Sequence, residues 1–256
     1  MRPERLWRAL GVGLFLSIIG LGGSVMALSL FPLVALLTRD PLRRQRRIQW
    51  MIHMSFRLYC AGIHHLRVAD VEMTGVERLK GLRGTLIIAN HPSLLDVVMI
   101  MAAVPSVQCV VKGGLWRNPF FRLTVEGAGY IRNDQPAEEL MRACVGTLNA
   151  GNNLIIFPEG TRTVPGLPVR LQRGFANIAT LAEVDLQLLR LTCEPPILHK
   201  GNPWWRVPAR RTRFRLEVGE RLGIAGFMDA PSRPQAVRRL VAHIQRHYAE
   251  VTDGRA

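Results

Sequence analysis

Lysine is almost missing from this chain: Lys80, Lys112 and Lys200 are the only three, and the other 31 of its 34 basic residues are arginine. Acidic residues are also scarce, 19 in all, which leaves a formal net charge of +15 over 256 residues. Arginine suits bidentate contact with phosphate and weakly hydrated interfaces, so this balance admits anionic lipid, nucleic acid or phosphorylated small molecules as partners. No CxxC pair is present. Cys60, Cys109, Cys144 and Cys193 stand tens of residues apart, which excludes zinc ribbons and thioredoxin-like redox chemistry and fits reduced core residues of a cytoplasmic domain. Low-complexity tracts and internal repeats are lacking, so solenoids and propellers are excluded. A hydrophobic fraction of 48% is incompatible with a disordered or collagen-like chain.

Charge is absent altogether between Arg8 and Arg39. The apolar run Ala9 to Thr38 is 30 residues long, more than the roughly 20 that cross a bilayer and too long for a secretory leader. Both flanks are basic: Arg2, Arg5 and Arg8 before it, Arg39, Arg43, Arg44, Arg46 and Arg47 after it. Basic flanks stay on the cytoplasmic side. Two arrangements follow, a shallow hairpin hinged at Gly22-Gly23-Ser24 or one tilted span with Pro32 as a kink; a buried core helix is the bland alternative. The expected location is a membrane, the inner or cytoplasmic membrane if the source is bacterial. Next, Ile48, Met51, Ile52, Phe56 and Tyr59 recur at helical spacing behind a crowd of arginines, which predicts an amphipathic helix lying in the headgroup plane or packed on the globular domain.

The chain therefore divides into 1–65, an N-terminal membrane anchor with its amphipathic helix, and 66–256. The second part alternates short strands with helices. LRVADVEMTG, GTLIIAN, VQCVVK, GYIRN, NLIIFPE, LQLLRLTC and RFRLEVGE read as strands, and 94–103, 136–149, 172–183 and 231–248 as helices. This pattern predicts an α/β fold, a mostly parallel central sheet flanked by helices. In such sheets ligands gather where strands end and helices begin.

Two segments occupy that position. In IIANHPSLLDVV an apolar strand ends just before His91, and Asp96 falls in the first turn of the next helix. A carboxylate accepting the Nδ1 proton leaves Nε2 free as a general base, the His–Asp half of a serine-hydrolase triad with the hydroxyl supplied by substrate. The alternative is a simple capped turn. In NLIIFPEGTRT a strand runs into a proline turn carrying Glu159, Gly160, Thr161 and Arg162. Gly160 permits a tight turn, Thr161 and Arg162 offer donors suited to phosphate, and Glu159 can orient the arginine or a substrate hydroxyl. The alternative is an exposed Glu–Arg pair in a polar loop.

Together, NHPSLLD and FPEGTR resemble the two signature motifs of the glycerolipid acyltransferase family, whose best-known members acylate lysophosphatidic acid. The resemblance runs from about Gly75 to about Glu220. It implies a glycerolipid acyltransferase-like fold and transfer of a fatty acyl group from acyl-CoA or acyl carrier protein to the free hydroxyl of a lysophospholipid, first of all 1-acylglycerol-3-phosphate, giving phosphatidic acid. By the same resemblance His91 is the base and Asp96 its partner, and Glu159, Gly160, Thr161 and Arg162 bind the acceptor. Lys112, Arg132 and Arg173 join them, Arg173 at a helix entrance where backbone donors favour an anion. Arg132 stands one position early, with Asn133 where the family has its arginine, so it is predicted to face away unless the strand bulges. No metal and no bound cofactor is implied, since the thioester is a co-substrate. The catalytic domain is expected on the cytoplasmic face, with membrane lipid and the acyl donor as partners and no nucleic acid.

The alternatives are the same chemistry on another lipid (ornithine-type, polyene or polyketide), a thioester hydrolase, or a basic membrane- or nucleic-acid-binding module. Ser93 lacks nucleophile-elbow glycines, so no acyl-serine is expected. His243 and His247 have helical i, i+4 spacing without the HExxH glutamate and are not read as zinc ligands. PWWRVPARR, with Trp204, Trp205 and Arg206, reads as a headgroup contact.

Overall fold

A computed structural model of the chain describes residues 3–164 and 170–252; Arg2 of the basic flank lies outside them. The chain opens with α1 (Pro3–Ser17), a π-helical turn (Ile18–Gly22) and α2 (Gly23–Leu37), followed by α3 (Pro41–His65). The order then is β1 (Asp70–Thr74), β2 (Leu86–Ala89), α4 (Asp96–Ala103), β3 (Val107–Val111), α5 (Gly113–Arg117), α6 (Pro119–Gly127), β4 (Ile131–Arg132), α7 (Ala137–Asn149) and β5 (Asn153–Ile156). It closes with α8 (Gly174–Ala182), β6 (Leu186–Glu194), β7 (Arg213–Leu222), α9 (Ala225–Met228) and α10 (Arg233–Thr252).

The strands form one sheet in the order β1-β7-β6-β2-β5-β3-β4. β6, β2, β5, β3 and β4 run parallel, and among the described residues only the β6–β7 pairing is antiparallel. The C-terminal ends of five neighbouring strands thus share one edge. Alternation along β2 explains the layering: Ile87 and Ala89 join the apolar core on the side of α3 and α4, while Leu86 and Ile88 join the core beneath α7, α8 and α10. Such a strand is buried on both faces and reads as an uninterrupted apolar run.

At the opposite edge, the buried side chain of Asn153 joins three segments. Its Oδ1 accepts from Thr85 N–H (3.2 Å), and its Nδ2 donates to Leu82 O (2.9 Å) and Ser106 O (3.1 Å). Asn153→Ala leaves those backbone groups without partners, so stability is expected to fall by about 3 kcal/mol, measured as a lower denaturation midpoint in detergent.

The long N-terminal helix is where the sequence reading needs correction. Gly22 and Gly23 are ordinary right-handed helix (φ −63° and −59°), and the helix runs unbroken from Pro3 to Leu37, 35 residues. No hairpin hinge exists there; the π turn absorbs the irregularity, and the chain reverses only at 38–40. Contacts place the helix along the domain. Arg8 donates to Ala209 O (2.7 Å), Gly13 lies against Trp204, Ser24 Oγ donates to Phe120 O (2.8 Å), and Phe31 packs beside Gly127. Its inner stripe (Arg8, Gly11, Phe15, Ala27, Phe31) is buried, while Leu14, Leu21, Val25, Leu28 and Leu36 of the outer face are exposed. All four cysteines are free and buried.

Candidate active site

β2 hands over to the first motif through Asn90, whose side-chain amide imitates a strand residue. Its Nδ2 donates to Leu191 O and its Oδ1 accepts from Leu191 N–H, both at 2.8 Å. This pair extends the β2–β6 ladder beyond its last register, Ala89↔Leu189, and aims the next residue off the end of the sheet. There His91 Nδ1 lies 2.8 Å from Asp96 Oδ2. The same oxygen accepts from Ser93 N–H at 2.7 Å, so it acts as an acceptor and the imidazole proton sits on Nδ1, leaving the Nε2 lone pair free. Asp96 opens α4, where the N-terminal helix dipole favours negative charge. Its side chain is 1% exposed against 16% for His91. Burial pushes the Asp96 carboxyl up to about 6, against the opposing pull of the His91 hydrogen bond.

The second motif begins where β5 ends. A turn closes with Gly160 N–H donating to Phe157 O (3.0 Å), and Gly160 takes φ +69°, a conformation that strains any residue with a Cβ. The Phe157 ring stacks on the His91 imidazole with centroids 4.1 Å apart and planes 19° apart. Glu159 links the two motifs: Oε1 accepts from His91 N–H (2.9 Å) and both oxygens accept from the Thr163 hydroxyl (2.9 and 2.8 Å). Arg162 Nη1 donates to Leu198 O (2.6 Å), an oxygen that also accepts from Leu94 N–H (3.3 Å). Thr161 is exposed beside this turn. Arg173 is exposed on the same rim, since its neighbour Gln172 donates its N–H to Pro158 O (2.7 Å).

Lys112 and Arg132 end β3 and β4 on the catalytic edge, but the strand order puts them two and three strands from His91, backbone separations of about 10 and 14 Å. Lys112 is exposed. Arg132 is engaged close to its own strand: Nε and Nη2 each donate to Asp134 at 3.0 Å, and its guanidinium lies 5.8 Å over Trp116. Asn133, in the place the resemblance gives to arginine, accepts from Gly113 N–H at the start of α5 (3.1 Å). The structure therefore unites His91, Asp96, Glu159 and Arg162 and leaves Arg132 held elsewhere. Sequence reasoning missed Asn90, Phe157 and Thr163. The in-line Asn before a strand-end histidine was a visible signal, whereas a ring stack between two distant motifs was not.

A narrow crevice between the N-terminal helix and the domain is lined by Phe15, Tyr59, Leu95, Leu198, Arg8 and Arg210. Among the described residues no cluster of three or more His, Cys, Asp or Glu is placed to hold a metal ion. His243 stacks edge-on against Phe227 and lies 3.9 Å from Glu220.

Residues 70–193 match the family model described as Acyltransferase. Over 118 residues the chain is 38% identical to a 1-acyl-sn-glycerol-3-phosphate acyltransferase of Helicobacter pylori, covering 44% of this chain and 47% of that protein. Over 180 residues it is 24% identical to the Bacillus subtilis protein of the same name, covering 69% and 85%. Against the H. pylori and coconut relatives the match spans about half of their length or less, 47% and 41%. The crystal structure of the 1-acyl-sn-glycerophosphate (LPA) acyltransferase PlsC from Thermotoga maritima has the same fold, with a TM-score of 0.70 at 19% identity over 96% of this chain and 98% of that one.

Proposed function

On the match of residues 70–193 to the Acyltransferase family model, we propose that this chain is an acyltransferase that moves a fatty acyl group from a thioester to the free hydroxyl of 1-acylglycerol-3-phosphate, giving phosphatidic acid. The observation that carries the reading is the His91 imidazole, held by Asp96 through Nδ1 and set against the Phe-Pro-Glu-Gly-Thr-Arg turn. Nε2 takes the proton of the acceptor hydroxyl as its oxygen attacks the thioester carbonyl. The tetrahedral intermediate then collapses by breaking the carbon–sulfur bond, and the thiolate leaves without strong acid assistance. Acyl-CoA or acyl carrier protein supplies the thioester, and no bound cofactor or metal takes part. Thr161, Arg162, Arg173 and Lys112 lie along the catalytic edge and carry donors for the acceptor headgroup.

The chain works on the membrane surface in this reading, with its catalytic domain on the cytoplasmic side. Support comes from the exposed apolar face of the long helix, the arginines at its C-terminal end, and Trp204 and Trp205 at its flank. A helix contacting the domain near both ends lies along the interface instead of crossing to the far side. Co-flotation with vesicles of anionic lipid, reduced by Leu21→Glu with Leu28→Glu, is the expected result.

One observation favours a second acceptor. Arg132 is paired with Asp134 and stands one position from where the resemblance places its arginine, which suits a lipid whose headgroup relies less on that guanidinium. The test is acyl transfer by the purified protein from labelled acyl-CoA and acyl carrier protein to lysophosphatidic acid and to other lyso- and hydroxy-lipids. Phosphatidic acid formed by wild type supports the first reading. Product with another lipid alone supports the second, and release of free acid without acceptor points to a hydrolase.

A further inference from the structure

We propose that Phe157, Glu159 and Thr163, all on the second motif, are positioning residues that mount the base, so that this motif serves His91 before it serves the acceptor. The inference rests on the reading of His91 as general base. Its foundation is the backbone. The β2–β5 ladder ends at Ile88↔Ile156, and past that point the main chain of His91 has left the sheet. Its two polar groups are nevertheless both engaged by the neighbouring turn: the N–H donates to Glu159 Oε1 (2.9 Å) and the C=O accepts from Thr163 N–H (2.7 Å). Glu159 is itself fixed by the Thr163 hydroxyl on both oxygens. The peptide segment carrying the base is thus clamped on either side by residues four positions apart.

The side chain completes the mount. Asp96 fixes the direction of Nδ1, and Phe157, stacked at 4.1 Å and 19°, fixes the plane of the ring. With direction and plane both set, Nε2 has one aim. The stack has a second effect: when the imidazole becomes imidazolium in the transition state, the π face of Phe157 attracts the new charge. A phenylalanine that merely filled space could be replaced by any apolar side chain of similar volume without altering proton transfer. A glutamate that bound acceptor would govern acceptor affinity instead of turnover.

The experiment measures kcat, the KM of acyl-CoA and of lysophosphatidic acid, and the pH–rate profile for the full chain in detergent. Wild type is compared with Phe157→Leu, Phe157→Tyr, Glu159→Ala, Glu159→Gln and Thr163→Val. Phe157→Leu is expected to lower kcat about tenfold and to move the acid limb of the profile down by about half a pH unit, with Phe157→Tyr restoring both. Glu159→Ala is expected to lower kcat roughly 10- to 100-fold at unchanged KM. Glu159→Gln, which keeps an oxygen for the His91 N–H, recovers most of the loss. If Glu159→Ala does not fold, Thr163→Val takes its place with the same expectation. A raised KM for lysophosphatidic acid at unchanged kcat overturns the inference, as does a Phe157→Leu enzyme with the wild-type acid limb. Absence of transfer by wild type overturns the reading of the site and this inference with it, and His91→Ala run alongside separates the two cases.

Discussion

His91→Ala is expected to lower kcat by about 10³-fold or more, near the upper part of the range that general base catalysis supplies, with the fold retained. The hydrogen bonds that build the turn around position 91 come from its main chain, to Glu159 and Thr163, and alanine keeps them. What disappears is the stack on Phe157 and the partner of Asp96. Asp96 still accepts from Ser93 N–H, and its carboxyl, already pushed up to about 6 by burial, answers the loss of His91 by holding its proton more tightly. It avoids an isolated buried charge in that way. Phosphatidic acid formation from labelled acyl-CoA is the activity measured, and the thermal unfolding midpoint of the variant is the control for folding. Residual transfer near the wild-type rate would sink the assignment of the base. Loss of transfer together with a collapsed unfolding transition would call for His91→Gln, which fills more of the site and is expected to be equally inactive.

Much of this architecture could be read from the residues. The apolar runs at 86–89, 107–111 and 153–156 are strands, and the paired motifs fall at the parallel edge that their spacing required. Of the two arrangements open for the apolar run, the hinge at Gly22-Gly23-Ser24 does not form, because glycine breaks a helix only when nothing rewards the helical state. Here the helix is tied to α6 through Ser24, whose Oγ donates to Phe120 O at 2.8 Å. The helices α5 and α6 went unassigned, although Asn118 followed by Pro119 carried the signal. The Asn118 side chain accepts from Phe120 N–H (3.0 Å) and proline occupies the first helical turn, as Asp40 and Pro41 do for α3. The GYIRN strand shrank to Ile131–Arg132 because Gly129 enters with φ +70° and Asn133 turns to cap α5. Nothing in the order of letters shows that Asp134 captures Arg132. Two residues apart on an extended chain point the same way, but the partner they choose depends on Trp116 from another helix.

Asp96→Asn separates two roles of the carboxylate, orientation and charge. In a triad whose aspartate meets only the imidazole, an amide flips to present its NH2 and enforces the wrong tautomer, at a cost near 10⁴-fold. Here the oxygen facing Nδ1 is also held by Ser93 N–H at 2.7 Å. An NH2 at that position would meet a donor, so asparagine keeps its oxygen there and the Nδ1–H tautomer survives. What is lost is the negative charge that stabilises the imidazolium. The expected fall in kcat is therefore smaller, about 10²- to 10³-fold, with the KM values unchanged. The pH profile carries the sign. A proton on Nε2 removes the base, so activity falls on the acid side of the profile, and the Asp96 carboxylate supports the imidazolium that forms there. A neutral amide gives that proton less support, so the acid limb of Asp96→Asn moves to lower pH while the plateau drops. Asp96→Ala, which removes the oriented oxygen as well, is expected to fall further than Asp96→Asn. Profiles of kcat/KM between about pH 5 and 9 decide the matter: an acid limb that stays in place with an asparagine variant near the wild-type rate would mean that Asp96 acts by orientation alone, and an asparagine variant as impaired as the alanine one would mean that the oriented oxygen contributes nothing beyond the charge.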